Sequence, residues 1–123
     1  MQSGILAAAF ITIATAASAD FGAIYFSQDT GAYGYAWNYR SQEAAEDAAY
    51  EECRKQRARD CEMATWFSDA CGALAIADGN GWGASWGNTI REAERKAMQT
   101  CKDFNNIGCR IEVSGCADGR GFE

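Results

Sequence analysis

The sequence predicts a single α+β domain made of two ββαβ units, with six strands and two helices in total. Three features recur along the chain: a cysteine pair, a strand–turn–strand segment and an alanine-rich helical segment. Cys53 and Cys61 are eight residues apart, as are Cys101 and Cys109, and a shift of 48 residues maps one pair onto the other. Repetition at a fixed period indicates one supersecondary unit used twice. We therefore expect one pseudo-twofold domain over residues 20–123, with the repeats at about 21–71 and 72–116.

Each unit is predicted to begin with two strands joined by a glycine turn and to end with a third strand. The strands are expected at residues 22–27, 33–39 and 61–67 in the first unit and at 72–77, 82–88 and 109–114 in the second. The turns at residues 29–31 and 78–81 contain Asp, Asn and Gly, which tolerate the positive φ of tight hairpins. The chain contains no proline that would interrupt a strand.

A helix is predicted between the second and third strands of each unit. Thr89 and Glu92 have the spacing of a capping box, while Ser41 opens the first helix with Glu43 in its first turn. Small residues recur at i, i+4 and i+8 in both helices, namely Ala45, Ala49 and Cys53, and Ala93, Ala97 and Cys101. This spacing places them on one face, so each helix should lie close to a sheet.

Residues 1–19 are predicted to be a secretory signal peptide. An apolar stretch runs from Ile5 to Ala17, and Ala17-Ser18-Ala19 has the small-x-small pattern of a cleavage site. The stretch is shorter than the roughly 20 apolar residues of a membrane span. We therefore expect a protein without a stable membrane anchor after cleavage, located in the periplasm or secreted.

The six cysteines are predicted to form disulfides, because an even number in a small exported chain favours oxidation. They are Cys53, Cys61, Cys71, Cys101, Cys109 and Cys116. A symmetric arrangement favours Cys53–Cys61 and Cys101–Cys109, with Cys71–Cys116 across the pseudo-dyad. The alternative pairs Cys61 with Cys71 and Cys109 with Cys116. A zinc site is disfavoured because the chain has no histidine and no CxxC pair, and no cofactor or metal is predicted.

The formal net charge of −6, from 17 acidic and 11 basic residues, disfavours a nucleic-acid partner. Nucleic acids require a basic face to neutralise their phosphates. The same charge disfavours nonspecific binding to anionic lipid.

An aromatic row on the second strand is the predicted candidate binding surface. Tyr33, Tyr35, Trp37 and Tyr39 alternate with small or polar residues and share one face of that strand, and Trp82 and Trp86 occupy the matching side of the second unit. If exposed, the row would stack on sugars or anchor a protein partner. Burial of the row as hydrophobic core is the favoured interpretation, because large aromatic residues are mostly buried.

No catalytic residue is predicted. The absence of histidine excludes Ser-His-Asp and Cys-His triads, and oxidised cysteines are not nucleophiles. Carboxylates cluster on the first helix at Glu43, Glu46, Asp47, Glu51 and Glu52, where a solvated surface is the favoured interpretation. Residues 78–81 resemble the start of a calcium loop, but Trp82 and Thr89 occupy positions that would need acidic or amide ligands, so a hairpin turn is expected.

Two runs of sequence and one helix resemble the bacterial "domain of unknown function 4189" family. They are residues 30–39 (TGAYGYAWNY), residues 66–75 (WFSDACGALA) and the alanine-rich helix that ends in Cys53. The resemblance implies a small, exported, cysteine-bearing bacterial protein without an established activity. The resulting hypothesis is a non-enzymatic binding module whose partner is an envelope or extracellular protein, or a glycan. The alternatives are a small cell-wall glycan hydrolase that uses the helix carboxylates, and an exported inhibitor or structural protein.

Overall fold

A computed structural model describes residues 19–119. The predicted signal peptide lies outside these residues except for Ala19, so it stays a prediction. The strands and helices in chain order are β1 (Phe21–Phe26), β2 (Tyr33–Tyr39), α1 (Gln42–Arg54), β3 (Glu62–Ser68), β4 (Cys71–Ile76), β5 (Trp82–Gly87), α2 (Ile90–Asp103) and β6 (Arg110–Cys116). The predicted α+β fold with the order ββαβ in each unit is confirmed.

Each unit forms its own three-stranded antiparallel sheet. The strand order is β2-β1-β3 in the first sheet and β5-β4-β6 in the second, so the first strand of each unit occupies the centre. The registers correspond as well, since Gly22 faces Phe67 on β3 and Gly72 faces Gly115 on β6. This correspondence defines which positions of the two units are equivalent.

The two sheets face each other, and a helix covers the outer face of each. The core between the sheets contains the apolar residues Ile24, Phe26, Trp37, Phe67, Leu74 and Ile76. On the outer faces, alanines of α1 pack against β1 and β2, and alanines of α2 pack against β4. The layers therefore run helix, sheet, sheet, helix, and the predicted small helix faces are fully buried.

Two glycines allow the helices to lie directly on the strands. A Cβ atom at Gly34 of β2 would lie 2.5 Å from the backbone nitrogen of Cys53, and one at Gly83 of β5 would lie 2.6 Å from the carbonyl oxygen of Ala97. Real Cβ atoms do not approach other atoms so closely. The absence of a side chain at these positions sets the distance between helix and sheet.

Both predicted turns connect adjacent antiparallel strands, and they touch each other. Gly31 has φ 81°, and Gly79 and Asn80 have φ 74° and 65°, which are left-handed conformations that Gly and Asn tolerate. The Asn80 side-chain amide donates a hydrogen bond to the carbonyl oxygen of Gln28 at 3.1 Å. The hairpin of the second unit is thereby tied to that of the first.

The helix caps follow the sequence with one difference. The Ser41 hydroxyl accepts from the Ala44 N–H at 3.0 Å, and the Thr89 hydroxyl accepts from the Glu92 N–H at 3.1 Å. The Glu92 carboxylate, however, accepts from the N–H of Asn88 at 2.9 Å. In a full capping box it would accept from Thr89 itself, so the glutamate reaches one residue further back than predicted.

The three disulfides are Cys53–Cys61, Cys101–Cys109 and Cys71–Cys116. The favoured pairing is confirmed, and the first two bonds join the end of each helix to the residue before the following strand. The predicted position of Cys71–Cys116 across the pseudo-dyad is wrong. Cys71 is the first residue of β4 and pairs directly with Cys116 of β6, so this bond lies within the second sheet.

The three bonds indicate an oxidising environment outside the cytoplasm. Within residues 19–119, no helix combines the length and apolar character needed to cross a membrane.

Candidate functional site

The residues of the predicted aromatic row lie in different environments. Trp37 is buried, Tyr33 and Trp82 are half-buried, and Tyr35, Tyr39 and Trp86 are exposed by 40%, 39% and 48%. The row is therefore core at one position and surface at others. The two lateral edges where the sheets meet explain this distribution. We call them the closed seam, where β2 lies beside β6, and the open seam, where β3 lies beside β5.

The closed seam is filled by a stack of three rings. Tyr33 and Tyr35 lie with their ring centres 6.4 Å apart, and Tyr35 and Trp37 lie 4.7 Å apart, both pairs nearly parallel. The Trp37 ring reaches the core because the facing residue on β6 is Gly115, where a Cβ atom would lie 2.5 Å from the indole. Glycine at this position gives the tryptophan its space.

A carboxylate completes the closed seam. Burial raises the pKa of the Tyr33 phenol, and the neighbouring Glu112 carboxylate raises it further by its charge and by accepting a hydrogen bond from the phenol. Tyr33 therefore stays a protonated donor at neutral pH. The polar end of the stack is satisfied within the molecule.

The open seam has different residues at the equivalent positions. Phe67 of β3 stands where β6 has Gly115, and its ring lies between the two central strands. A Cβ atom at Gly22 would lie 2.5 Å from that ring, and one at Gly72 would lie 2.6 Å from it. Phe67 thus occupies the space that Gly115 leaves for Trp37, and the equivalent Trp86 stays at the surface.

Two adjoining grooves run along the open seam and share Ala64. One has a volume of about 450 Å³ and is lined by β3 and Trp86, with the residues Met63, Ala64, Thr65, Trp66, Phe67, Ser68 and Trp86. The other has a volume of about 520 Å³ and includes Trp82, Ala84 and Phe104 among its lining residues. Five of the six large lining residues named here are aromatic, and Met63 is the sixth, so the grooves are well suited to planar apolar groups.

Trp66 and Met63 belong to this surface but were not among the predicted binding residues. They are exposed by 39% and 42%. Trp66 pairs with Ala23 and therefore shares the face of the sheet on which α1 lies. Because β3 is the edge strand remote from β2, the helix leaves Trp66 partly uncovered. Strand alternation around the buried Phe67 is the sequence signal for this position.

Lys96 places a positive charge at the Trp86 end of the open seam. Its Nζ atom lies 5.1 Å from the centre of the Trp86 ring, within the range of a cation–π interaction. The ion pairs formed among residues 19–119 do not include Lys96. The amine therefore has charge available for an anionic group of a ligand.

The carboxylates of α1 lie on the surface of the helix. Glu43, Asp47, Glu51 and Glu52 are exposed. Glu46 accepts a hydrogen bond from Gln42 at 2.7 Å, and Glu52 lies 3.9 Å from Lys55, so their partners lie on α1 or at its C-cap. Such contacts are typical of a solvated helix face.

The sulfur atoms of Cys71 and Cys116 lie within 4.8 Å of an Asp118 carboxylate oxygen, a spacing compatible with metal binding. Both sulfurs form a disulfide, however, and zinc requires thiolates. The cluster therefore does not provide a zinc ligand set in this oxidised state.

Comparisons with known proteins place the fold in a family. The chain is similar to the NMR structure of Rv1813c from Mycobacterium tuberculosis, with 30% sequence identity and a TM-score of 0.59, over 79% of this chain and 74% of that one. No curated protein matches the chain. The family model described as Domain of unknown function (DUF4189) matches residues 21–116, and the chain therefore belongs to that family.

Proposed function

We propose that the protein is a non-enzymatic binding module of the periplasm or extracellular space, and that it holds another envelope or extracellular protein at the open seam. The observation that carries this proposal is the groove of about 450 Å³ along β3, whose lining residues include the exposed Trp66 and Trp86. Tryptophan is enriched among the residues that dominate binding energy at protein interfaces.

The closed seam supports the assignment of the open seam as the binding surface. The same fold buries Trp37 against Gly115 at the equivalent position of the first unit. Trp86 is exposed in the second unit, where Phe67 stands in place of Gly115 and where β5 lacks the register irregularity that β2 has at Trp37 and Asn38. An exposed aromatic cluster beside a groove is a common feature of interaction sites.

The oxidised cysteines support a location outside the cytoplasm. The predicted signal peptide at residues 1–19 adds to this, and either the periplasm or the extracellular space fits both observations.

The test is binding of envelope and culture-medium proteins to immobilised, oxidised residues 20–123. We expect Trp86→Ala and Trp66→Ala each to weaken binding of the captured partner by about tenfold, consistent with the loss of a buried aromatic anchor. Tyr39→Ala is the matched control, because Tyr39 is as exposed as Trp66 but lies on β2. Thermal unfolding of each variant shows that it is folded.

Three results would reject the proposal. Binding of every partner by both tryptophan variants at the wild-type level would exclude the open seam. Loss of binding in Tyr39→Ala alone would move the interaction surface to the β2 edge. Retention of a purified cell-wall glycan but of no protein would assign the surface to a carbohydrate.

A further inference from the structure

The open seam contains an empty slot, and the equivalent position on the closed seam is occupied by the ring of Tyr35. On the closed seam, Tyr35 lies between Tyr33 and Trp37 and stacks on both. On β5 the equivalent positions are Trp82, Ala84 and Trp86. Trp82 and Trp86 are aromatic like their equivalents Tyr33 and Trp37, whereas Ala84 has no ring where the first unit has Tyr35.

The opposite wall of the slot, on β3, also has a smaller side chain than its equivalent on β6. Ala64 of β3 stands at the position equivalent to Glu112 of β6, since both lie at the register shift of their strand. Ala64 and Ala84 are half-buried, pack against the core, and both line the groove of about 520 Å³. Small residues on both walls leave a space where the first unit holds a phenol ring.

We propose that this slot binds an aromatic side chain of the partner protein, with the ring lying over Ala84 between Trp82 and Trp86, and that a carboxylate adjoining it in the partner chain faces Lys96. This inference rests on the proposed function and deepens it by naming the chemistry that is recognised.

The missing middle ring of the stack favours an aromatic ring over a sugar. Ala64, Ala84 and Phe67 are apolar lining residues of the two grooves. The groove of about 520 Å³ is also lined by the polar residues Gln28, Thr100 and Asn106, and the Asn106 amide donates to the carbonyl oxygen of Cys101 at 2.9 Å. The hydroxyl of Thr65 is buried and lies 3.5 Å from the carbonyl oxygen of Trp66, to which it donates. A bound ring would complete between Trp82 and Trp86 the three-ring stack that Tyr33, Tyr35 and Trp37 form on the closed seam, and a sugar would not.

The positive charge of Lys96 at the end of the slot indicates that the ligand carries a carboxylate next to its ring. Lys96 lies over the ring of Trp86, and no carboxylate among residues 19–119 forms an ion pair with it. A carboxylate next to the bound ring would meet this amine at the rim, where opposite charges raise the association rate and orient the partner.

The probe for this inference is N-acetyl-Tyr-Asp-amide, titrated into ¹⁵N-labelled oxidised protein and followed by the indole and backbone N–H signals. We expect saturable shifts at Trp82, Ala84 and Trp86 with a dissociation constant on the order of 1 mM, as for a ligand of this size with one buried ring. N-acetyl-Leu-Asp-amide is the control ligand and should bind at least fivefold more weakly. Equal binding of the two ligands, or no shifts at β5, would overturn the inference.

Ala84→Tyr tests the slot from the protein side, because it restores the middle ring of the stack. We expect the variant to remain folded, to unfold at a temperature no lower than the wild type, and to bind the tyrosine probe at least tenfold more weakly. Ala84→Ser, which adds a single oxygen, should bind like the wild type. Undiminished binding by a folded Ala84→Tyr variant would overturn the inference, and the wild-type titration decides the matter if that variant does not fold.

Lys96→Gln tests the charge. We expect it to weaken binding of N-acetyl-Tyr-Asp-amide several-fold and to leave N-acetyl-Tyr-Asn-amide unaffected. Equal weakening of both ligands would show that Lys96 does not recognise the carboxylate, and that part of the inference would be wrong. Chitotriose is included as a carbohydrate probe, and saturable shifts at Trp82 and Trp86 with chitotriose but not with the tyrosine probe would reject an aromatic ligand.

The two proposals fail separately. If the captured partner needs Trp86 but binds Ala84→Tyr like the wild type, the open seam is the interface and the slot is not its recognition site. If the tyrosine probe fills the slot and no envelope or extracellular protein binds the chain, the slot is real and the proposed function is wrong.

Discussion

At the scale of single residues, four positions decide which edge of the molecule is open. Tyr35 and Gly115 close one seam, because the glycine admits Trp37 and the tyrosine covers it. Ala84 and Phe67 occupy the equivalent positions of the other seam and leave Trp86 exposed. The two edges therefore differ in side-chain volume and in the backbone of β2, which has an irregular register at Trp37 and Asn38 that β5 lacks.

A second residue-scale feature is the buried hydroxyl of Ser27. It donates a hydrogen bond to the Asp60 carboxylate, and it accepts one from the Thr30 hydroxyl at 2.9 Å. The other oxygen of Asp60 accepts from the N–H of Asp29 at 3.0 Å. The bond from Ser27, followed by that from Asp29, holds the pKa of the Asp60 carboxyl below its ordinary value.

This network predicts acid sensitivity with a definite sign. Because the pKa of Asp60 is lower in the folded than in the unfolded chain, its contribution is complete above the unfolded value of about 3.9 and is lost as pH falls through the folded value. We expect Asp60→Asn to lower stability at pH 6 and to flatten its fall between pH 5 and the acid limit. Urea unfolding across this range is the measurement.

Asp47→Asn is the control for this prediction, because Asp47 is an exposed helix residue outside the network. It should leave the pH dependence as in the wild type. An Asp60→Asn variant whose stability falls with acid as steeply as that of the wild type would show that the hydrogen bonds of Asp60 do not stabilise the fold.

At the scale of elements, each helix is positioned by a pair of complementary surfaces. One is the face of small residues that recurs every four positions, and the other is the glycine in the strand beneath it, Gly34 or Gly83. Neither surface alone would bring the backbones so close. The agreement of the helix and strand patterns explains why element order was predictable from the sequence.

Gly34→Ala is predicted to separate α1 from β2. The added Cβ atom would meet the backbone of Ala49 and Cys53, which has no flexible end that could move away. We expect a loss of about 3 kcal/mol in the free energy of unfolding, the upper part of the range for overpacking. Chemical denaturation of the oxidised protein measures it.

Gly79→Ala is the matched control, because a Cβ atom there would have nothing within 4 Å, although φ is +74°. Its cost should be limited to the strain of a left-handed alanine, about 1 kcal/mol. If Gly34→Ala costs no more than Gly79→Ala, close contact between helix and strand does not limit the stability of the domain.

At the scale of the whole molecule, the third disulfide breaks the correspondence between the units. Cys71–Cys116 joins the first and last strands of the second sheet, and the facing residues in the first sheet are Phe21 and Ser68. The bond closes a loop with a sequence separation of 45, whereas each of the other two closes one of 8. It therefore restrains the unfolded chain most.

We predict unequal costs for removing the disulfides. The chain-entropy relation gives about 4 kcal/mol for Cys71–Cys116 and about 2.5 kcal/mol for each short loop. Replacing each pair by alanine and measuring urea unfolding tests this. The Cys53–Cys61 and Cys101–Cys109 variants control each other, because their loops are equal, and a smaller loss for Cys71–Cys116 than for either would contradict the prediction.

The sequence by itself determined the features that depend on near neighbours in the chain. Strand and helix order, the N-caps at Ser41 and Thr89, the small helix faces and the short disulfide loops all follow from local spacing and were predicted correctly. Family membership also followed from contiguous runs of sequence.

Only the tertiary structure decided which aromatic residues reach the surface. Periodicity placed Trp37 and Trp86 alike, but their exposure depends on Gly115 and Phe67, which lie across the seam and far away in the chain. The position of Cys71–Cys116 within one sheet had the same origin, since it required the register of β4 against β6. A side chain's periodicity is set locally, whereas its burial is set by whichever residue the fold places opposite it.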